Sequence, residues 1–380
     1  MKRIYLDYAA ATPVDSRVLA AMEPFFSEAF YNPSATYLAG RAARQSLEQA
    51  RSGIAKILGS RPAEIIFTAG ATEANNLAIQ GVLRKFPDAE VLTSAIEHDS
   101  VLAPAGCFAH RLIPVNQQGI IDLAKLEKMV GDKTVLLSIM LVNNELGTVQ
   151  PLREVAKILN KLSILRKSKG NDLPLYLHTD AAQAPLYLDL HVSRLGVDLM
   201  TVNGGKIYGP KQSGALFIKA GINLEPLILG GGQEFGIRSG TENVAADAGL
   251  AKALELAQAG RKAESERLEK LRVGFVADLA EAVPSAKVNG SPKHHTPHIL
   301  SVTFPGIDNE RLMMQLDEAG VMAAVGSACS ASSAEPSHVL SAIGLTKEDA
   351  RSTLRFSFGR ETTPADLKFV LGLIIKVTSD

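Results

Sequence analysis

A lysine at position 206 is enclosed by turn-forming residues, in the stretch Asn203-Gly204-Gly205-Lys206-Ile207-Tyr208-Gly209-Pro210. Apolar runs at residues 197–202 and 214–218 flank this stretch, which predicts strand, tight loop, strand, with Lys206 on the loop. A lysine on a loop is ordinarily solvated. If it is partly buried instead, the pKa of its amine falls and it becomes a nucleophile able to form a Schiff base. The choice between the two depends on what the rest of the chain places near it.

Polar side chains directly follow three further predicted strands. These are His98 after residues 91–94, Asn143-Asn144-Glu145 after residues 135–142, and Asp180 and Gln183 after residues 173–177. The carboxyl ends of parallel strands open onto the crevice where α/β proteins bind ligands. There an aspartate can keep a pyridinium nitrogen protonated, an amide can hold a phenolic oxygen, and an imidazole can stack on a ring and move protons. Each also has an ordinary alternative: Asp180 as a helix N-cap, the asparagines as a turn, and His98 as a structural histidine.

The segment Ala69-Gly70-Ala71-Thr72-Glu73 lies between a strand predicted at residues 64–68 and a helix predicted at residues 71–83. Backbone N–H groups at a helix start, together with the Thr72 hydroxyl, can form a phosphate cradle. The same residues also make an ordinary helix cap. They match neither a Walker loop nor the spacing of a dinucleotide fingerprint.

The two cysteines lie in different sequence surroundings. Cys107 is near the end of a predicted helix beside Phe108, so we expect it to be buried and inert. Cys329 belongs to Gly326-Ser327-Ala328-Cys329-Ser330, whose small residues cannot form an apolar core. An exposed loop of this kind, predicted at residues 323–336, suits a nucleophile that must travel.

Two arginines occur on and after a strand predicted at residues 353–358. The fork of Arg355 suits a substrate carboxylate. Arg360 fits a structural ion pair equally well.

The elements that must position these side chains alternate between strand and helix from residue 64 to residue 218. This alternation predicts an α/β fold with a mostly parallel sheet covered on both faces. Residues 242–280 are rich in Ala, Leu, Glu and Lys and predict a long helix, interrupted near Gly260. Beyond it, short predicted strands and helices indicate a smaller C-terminal α+β domain.

The composition narrows the class of protein. The chain has 380 residues, and its 40 basic and 40 acidic residues cancel, which gives no electrostatic reason to expect a nucleic-acid or membrane surface. We expect no signal peptide, because Asp7 interrupts the N-terminal apolar run, and no membrane span. Two distant cysteines and histidines without ligand spacing predict neither a disulfide framework nor a metal site, and a cytoplasmic protein is the expectation.

Together these motifs resemble those of cysteine desulfurases of the NifS/IscS type, class V aminotransferase-like enzymes that use pyridoxal phosphate (PLP). The resemblance extends over nearly the whole chain, from Ile4-Tyr5-Leu6-Asp7-Tyr8 through Phe67-Thr68-Ala69-Gly70-Ala71-Thr72-Glu73, Glu97-His98, Val142-Asn143-Asn144-Glu145-Leu146-Gly147, Asp180-Ala181-Ala182-Gln183, Lys206-Ile207-Tyr208-Gly209-Pro210-Lys211, Arg238-Ser239-Gly240-Thr241 and Gly326-Ser327-Ala328-Cys329-Ser330 to Phe358-Gly359-Arg360. It implies fold type I of the PLP-dependent transferases. The large PLP-binding domain would comprise residues 13–255, and the small domain, which carries the cysteine loop, residues 1–12 and 256–380.

The resemblance also implies the roles of single residues. Lys206 would bind PLP as a Schiff base, His98 would stack on its ring, and Asp180 and Gln183 would bind the ring nitrogen and the ring hydroxyl. The phosphate would be bound by Ala71, Thr72, Asn203 and Thr241, the last from the partner subunit of a homodimer. The substrate carboxylate would be bound by Asn32, Asn144 and Arg355.

The implied reaction converts L-cysteine to L-alanine, with Cys329, Lys206 and His98 as catalytic residues. Cys329 would carry the sulfur as a persulfide to an acceptor such as an iron–sulfur scaffold, for cluster assembly or tRNA thiolation. Alternatives are another class V reaction, by a selenocysteine lyase or a small aminotransferase, and a PLP-poor protein that binds persulfide or a scaffold.

Two segments depart from the family pattern. Asn203-Gly204-Gly205-Lys206 replaces Ser-x-His-Lys, and Thr36-Tyr37 replaces a small polar residue followed by histidine. Without a side chain at Gly205, we expect PLP to bind more weakly than in relatives with that histidine. Restoring the histidine should tighten binding, provided that Gly205 does not use φ > 0.

Overall fold

The structure, a computed structural model, describes residues 3–326 and 336–379. The strands of the described ranges are β1 Ile4–Tyr5, β2 Ile65–Thr68, β3 Glu90–Ser94, β4 Ala109–Ile113, β5 Thr134–Ser138, β6 Tyr176–Asp180, β7 Leu199–Asn203, β8 Gly214–Ile218, β9 Lys287–Asn289, β10 Ile299–Thr303, β11 Val321–Met322 and β12 Thr353–Ser357.

The α-helices of the same ranges are α1 Ser16–Met22, α2 Pro24–Ser27, α3 Leu38–Leu58, α4 Ala71–Leu83, α5 Asp99–Ala105, α6 Leu123–Met129, α7 Leu152–Ser168, α8 Val192–Leu195, α9 Val244–Ala282, α10 Asn309–Glu318, α11 His338–Ala342, α12 Lys347–Arg351 and α13 Pro364–Ser379. Short 3-10 helices occur at Pro62–Glu64, Gly204–Lys206 and Glu234–Gly236.

A seven-stranded sheet in the order β2-β8-β7-β6-β5-β3-β4 forms the centre of the molecule. Strands β3 to β7 pair in parallel, whereas β8 is antiparallel to both β7 and β2. Successive residues of a strand face opposite sides of the sheet. Thus Leu199 and Leu216 belong to one apolar cluster, and Met200 and Phe217 belong to another on the opposite face. The predicted mostly parallel α/β sheet with two covered faces is confirmed.

Strands of the C-terminal part of the chain form two smaller sheets, one of which also contains β1. Strands β9, β10 and β12 form an antiparallel sheet, and β1 pairs in parallel with β11. Isolated bridges join Asp7 to Ser357 and Ala324 to Arg355, so that the start of the chain lies against β12. These bridges fix the position of Arg355 in the site described below.

Helix α9 is continuous over 39 residues, and the predicted interruption at Gly260 is wrong. A single glycine in a helix costs only about 1 kcal/mol relative to alanine, and the flanking Ala, Leu, Glu and Lys residues favour the helix. The predicted domain boundary at residue 255 falls inside α9, and the division into two domains stays a prediction. Among the described helices, none has the length and apolarity needed to cross a membrane.

Candidate active site

A cavity of about 290 Å³ opens at the carboxyl ends of the parallel strands. Nine of the residues predicted to form the site line it: Ala71, Thr72, His98, Asn144, Asp180, Gln183, Asn203, Lys206 and Arg355. The segments that carry them come from distant parts of the chain. Strand pairing brings most of them together, because parallel strands end at one edge of the sheet.

Lys206 ends the 3-10 turn that follows β7 and is half-buried at the cavity wall. The turn depends on a glycine at position 204, because a Cβ there would lie 2.1 Å from Oγ of Ser213. Asn203 caps the turn, and its Oδ1 accepts a hydrogen bond from the backbone N–H of Gly205 at 3.3 Å. Lys206 is therefore partly buried, which favours the Schiff-base interpretation over a fully solvated lysine, and its role stays a prediction.

The segment around Gly70 forms a cradle at the start of α4. Gly214 pairs with both Thr68 and Asn203 in the sheet, which places the cradle beside the lysine turn. A Cβ on Gly214 would lie 2.7 Å from the Cα and C atoms of Gly70, so only glycine lets the cradle close. The first N–H groups of a helix lack intrahelical acceptors and are available to an anion.

Asp180 is the last residue of β6 and is almost completely buried. Each of its carboxylate oxygens accepts an N–H donor: Oδ1 from the backbone of Ala182 at 2.8 Å and Oδ2 from Nδ2 of Asn75 at 2.7 Å. Its bond to the backbone of Ala182 closes a local turn, and the next helix, α8, begins only at Val192, so the N-cap alternative is wrong. The carboxylate lines the cavity instead.

His98 caps the N-terminus of α5 and lines the same cavity. Its Nδ1 lies 3.1 Å from the backbone N of Ser100 and 2.9 Å from Oγ of Ser100. Burial and the nearby Lys206 lower the pKa of His98 below the usual histidine value. The imidazole is therefore neutral at neutral pH.

Gln183 connects the cavity to a histidine that sequence patterns did not single out. Its Nε2 donates to the carbonyl of Ala9 at 2.9 Å, and its Oε1 lies 3.2 Å from Nε2 of His298. His298 stacks on Tyr187 with ring centroids 4.0 Å apart, and burial lowers its pKa well below the usual value. No motif marks His298, since its partners come from residues more than a hundred positions away.

Arg355 is 3% exposed and already holds two partners. Nη2 pairs with Oδ1 of Asp7 at 2.6 Å, and Nη1 donates to the carbonyl of Asn144 at 2.9 Å. Its buried Nε has no hydrogen-bond partner in the described part of the chain. Of the two adjacent asparagines, Asn143 makes the predicted turn, because its Oδ1 accepts from the backbone of Glu145 and Leu146, and this leaves Asn144 at the cavity.

Two predicted site residues that the structure describes, Asn32 and Thr241, do not line the cavity. Asn32 is exposed, and its Oδ1 accepts from the backbone of Ser34 at 2.8 Å. Thr241 is exposed just before α9. Cys329 lies outside the described residues. Arg360 follows its ion-pair alternative, with Asp15 at 2.6 Å.

Cys107 is exposed, and the expectation that it is buried is wrong. Helix α5 ends at Ala105, so Cys107 lies in the turn beyond it rather than on the packed face of the helix. Its neighbour Phe108 makes the apolar contact instead.

The functional groups of the cavity fit an aromatic aldehyde that carries a ring nitrogen and a phosphate. PLP is such a molecule. Lys206 offers an amine, Asp180 a carboxylate for a ring nitrogen, and the Gly70 cradle backbone N–H groups for a phosphate. A Cβ at Gly214 would push the cradle away, so the close approach of these loops is built into the sequence.

The family model and the most similar relatives indicate the same family for this chain. The model of the family "Aminotransferase class-V" matches residues 4–370. The chain is 41% identical to cysteine desulfurase IscS of Dictyoglomus turgidum, covering 99% of this chain and 95% of the relative, and 38% identical to cysteine desulfurase IscS 1 of Archaeoglobus fulgidus, covering 97% and 95%.

Solved structures agree with these sequences. A NifS-like protein superposes with a TM-score of 0.90 at 33% identity, covering all of both chains. SspA in complex with cysteine superposes with a TM-score of 0.81 at 36% identity, covering 94% of this chain and 99% of SspA.

Proposed function

Since this chain belongs to the class V aminotransferase family and, within it, to the cysteine desulfurases, we propose that it converts L-cysteine to L-alanine and passes the sulfur on as a persulfide. One observation carries the proposal. A half-buried lysine, a carboxylate held by two N–H donors and a neutral imidazole line one cavity. These are the functional groups needed to remove the proton from the α-carbon of an amino acid.

The cofactor of the proposal is PLP, on which the class V and cysteine desulfurase family depends. Lys206 would hold it covalently, His98 would stack on its ring, Asp180 and Gln183 would bind the ring substituents, and Ala71, Thr72 and Asn203 would bind its phosphate. When bound, PLP supplies an electron sink that stabilises negative charge on the α-carbon of an amino acid.

Residues of the chain then handle the proton and the carboxylate. The amine of Lys206 removes the Cα proton of cysteine, and neutral His98 serves as a further acid or base. Arg355 and Asn144, which line the cavity, bind the substrate carboxylate. A contribution of Asn32, which lies outside the cavity in this structure, stays a prediction. Because Asp7 and the Asn144 carbonyl already hold both Nη atoms of Arg355, the guanidinium is oriented before substrate arrives.

Sulfur transfer belongs to Cys329, on the basis of its sequence surroundings and the family pattern. Its thiolate attacks the sulfur of the substrate, and the new S–S bond forms as the Cβ–S bond breaks. The electron pair of the broken bond stays with the carbon skeleton, which is protonated and leaves as alanine. The persulfide passes to an acceptor protein, such as an iron–sulfur scaffold, for cluster assembly or tRNA thiolation.

The proposal includes a homodimer in which Thr241 of the partner subunit completes the phosphate site. The exposure of Thr241 supports this, since within one chain it does not reach the cavity. A cytoplasmic location stays a prediction.

Product analysis tests the proposed reaction. The PLP-loaded protein, given L-cysteine and a thiol reductant, should release alanine and sulfide in equal amounts, and Lys206→Ala should release neither. The matched control is Lys219→Ala, because Lys219 pairs with Asp198 outside the cavity. Turnover of selenocysteine alone, or transfer of the amino group to a keto acid, would favour another class V reaction.

Borohydride reduction tests the role of Lys206 separately. The reduced, PLP-loaded protein should carry its pyridoxyl group on Lys206 after peptide mapping. A label on Lys211 or Lys219 would contradict the assignment. A colourless protein that takes up no PLP would favour the PLP-poor alternative.

A further inference from the structure

A continuous chain of hydrogen bonds joins His98 to Asp180 through two residues that no motif identifies. Nδ1 of His98 lies 2.9 Å from Oγ of Ser100, and the same Oγ lies 2.9 Å from Nδ2 of Asn75. Nδ2 of Asn75 also lies 2.7 Å from Oδ2 of Asp180. Asn75 is completely buried, and Ser100 nearly so.

The direction of each bond follows from its donors. The amide nitrogen of Asn75 only donates, and the carboxylate of Asp180 only accepts. Turning the Asn75 amide around would place its oxygen against that carboxylate, so Nδ2 faces Asp180 and Ser100. Oγ of Ser100 therefore accepts from Asn75, and its own proton is free to point to His98.

Two donors then converge on Nδ1 of His98. The backbone N–H of Ser100 donates to Nδ1 at 3.1 Å, and the Ser100 hydroxyl is oriented to do the same. A nitrogen that accepts from a backbone N–H carries no proton. The ring proton of neutral His98 is therefore on Nε2, which makes no hydrogen bond with the described part of the chain.

Charged groups on every packed element act on this ring. Lys206 of the lysine turn and His338 of α11 lower the pKa of His98, whereas Asp180 of β6 and Asp99 of α5 raise it. Burial is the largest influence and also lowers the pKa, so the neutral ring prevails.

We propose that Asn75 and Ser100 are positioning residues that hold His98 in the tautomer with its proton on Nε2 and tie it to the carboxylate of Asp180. In this arrangement Nε2 of His98 carries the proton and donates a hydrogen bond to a ligand in the cavity. The inference rests on the proposed function only for the identity of that ligand.

Nitrogen NMR of the protein labelled with ¹⁵N-histidine tests the tautomer. The His98 signals are identified by their loss in His98→Gln. In the cofactor-free and the PLP-loaded protein, Nδ1 of His98 should show the shift of an unprotonated nitrogen and Nε2 that of a protonated one. The reverse pattern would overturn the proposal.

Two substitutions test the positioning residues. Asn75→Leu removes the donor that orients Ser100, and Ser100→Ala removes the hydroxyl but keeps the backbone N–H. Each should raise the fraction of the Nδ1–H tautomer, by a factor of about 2 to 10, which is the range expected for one neutral hydrogen bond. Ser100→Thr keeps a hydroxyl group at this position and should show the same ratio of the two tautomers as the parent.

Asn309→Leu is the matched control. Asn309 is buried and also donates from Nδ2 to two acceptors, the carbonyls of Ala350 and Thr353, but lies outside the cavity. It should lower stability and leave the His98 tautomer unchanged. A parent ratio in both Asn75→Leu and Ser100→Ala would refute the proposal, and if Asn75→Leu does not fold, Ser100→Ala decides. Because the tautomer is measured without substrate, absence of desulfurase activity would not affect this result.

Discussion

At the scale of single residues, Glu97 is the most unusual ionisable group beside the site. It is completely buried, and its Oε1 accepts from Oγ of Ser94 at 2.7 Å and from the backbone of Met140 at 2.8 Å. Its Oε2 has no hydrogen-bond partner in the described part of the chain. Burial raises the pKa of Glu97 to about 8, so the carboxyl group is neutral at pH 7.

We therefore predict that Glu97→Gln changes the pH dependence of stability. The folded-state pKa of about 8 exceeds the ordinary value of 4.5, so the folded protein keeps a proton that the unfolded chain releases between these values. This contribution is complete below pH 4.5 and is lost as pH rises toward 8. The free energy of unfolding of Glu97→Gln, relative to the parent, should increase from pH 5 to pH 8.

Urea unfolding at a fixed protein concentration measures this difference. Glu127→Gln is the control, because the side chain of Glu127 is 37% exposed and pairs with the exposed Lys161 at the surface. It should show no such trend. An equal difference between Glu97→Gln and the parent at both pH values would contradict a neutral Glu97.

Where a motif follows a strand, the sequence predicted which side chains line the cavity, whereas the roles of these side chains stay predictions. Lys206, Asp180, His98 and Asn144 all line the cavity, because each lies at the carboxyl end of a parallel strand or within about six residues beyond it. Asn75 and Ser100 were missed, since residues inside helices with distant partners leave no local pattern. The expectation for Cys107 failed because a pattern cannot tell the last helical turn from the exposed turn after it.

At the scale of elements, the lysine turn can accept the side chain that it lacks. The φ of Gly205 lies outside the left-handed region, and a Cβ there would contact Cγ of Lys211 at an ordinary 3.5 Å. The condition for restoring a histidine at this position, that Gly205 does not use φ > 0, is therefore met. Gly204, one residue earlier, has no such room.

We predict that Gly205→His binds PLP about tenfold to a hundredfold more tightly, because a hydrogen bond to a charged group is worth about 1.5–3 kcal/mol. Gly205→Ala is the matched control, since it adds a Cβ without the imidazole, and it should keep the parent dissociation constant. Spectroscopic titration of the apoprotein measures both. Equal or weaker binding by a well-folded Gly205→His variant would count against a phosphate contact at this position.

The cradle at the start of α4 should be sensitive to a single methyl group at Gly214. Gly214→Ala would push the Cβ against the backbone of Gly70, and we expect PLP affinity to fall at least about tenfold, the equivalent of about 1.4 kcal/mol. Gly53→Ala in α3 is the control, because nothing lies within 4 Å of its Cβ. It should leave affinity unchanged and add about 0.5–1 kcal/mol of stability. Unchanged affinity in Gly214→Ala would show that the cradle does not hold the phosphate.

The element boundaries show what periodicity can and cannot resolve. The helix predicted at residues 71–83 and the strand at residues 214–218 match the structure. The apolar run at residues 135–142 outlasts its strand, which ends at Ser138. Residues 139–142 are buried but irregular, and an apolar run alone does not distinguish a buried connection from a strand.

At the scale of the molecule, a buried ion pair joins the segment before α9 to the central sheet. Arg51 of α3 and Glu234 pair at 2.7 Å, with side chains 1% and 2% exposed. Glu234 also accepts from the backbone of Phe67 in β2. The segment that follows leads to Thr241, so this pair anchors the residue proposed to reach the partner subunit.

Glu234→Ala should therefore lower the free energy of unfolding by about 3–5 kcal/mol, because it removes the carboxylate that holds both Nη atoms of buried Arg51 and leaves the ion pair of its Nε with Glu48. Glu127→Ala, which breaks an exposed pair with Lys161, should lower it by less than about 1 kcal/mol. Denaturant unfolding at equal protein concentration compares the two. A loss for Glu234→Ala as small as that for Glu127→Ala would mean that Arg51 finds another partner.

The type I fold of PLP-dependent transferases predicted from the sequence is confirmed by the NifS-like superposition. The alternation of strands and helices was enough to predict a mostly parallel sheet. The strand order was not predictable from the chain, because β2 joins the sheet by pairing with β8, about 150 residues further along the chain. That pairing, together with the pairing of β7 and β8, brings the Gly70 cradle to Lys206.

The most direct test of the whole account is the location of sulfur after one turnover. Cys107 is exposed, so accessibility does not by itself exclude it as an acceptor. The PLP-loaded parent, Cys329→Ser and Cys107→Ser proteins are given one equivalent of L-cysteine, alkylated and analysed by peptide mass. We predict one extra sulfur on Cys329 in the parent and in Cys107→Ser, and neither persulfide nor alanine in Cys329→Ser. Extra sulfur on Cys107, or undiminished alanine from Cys329→Ser, would contradict the proposed reaction.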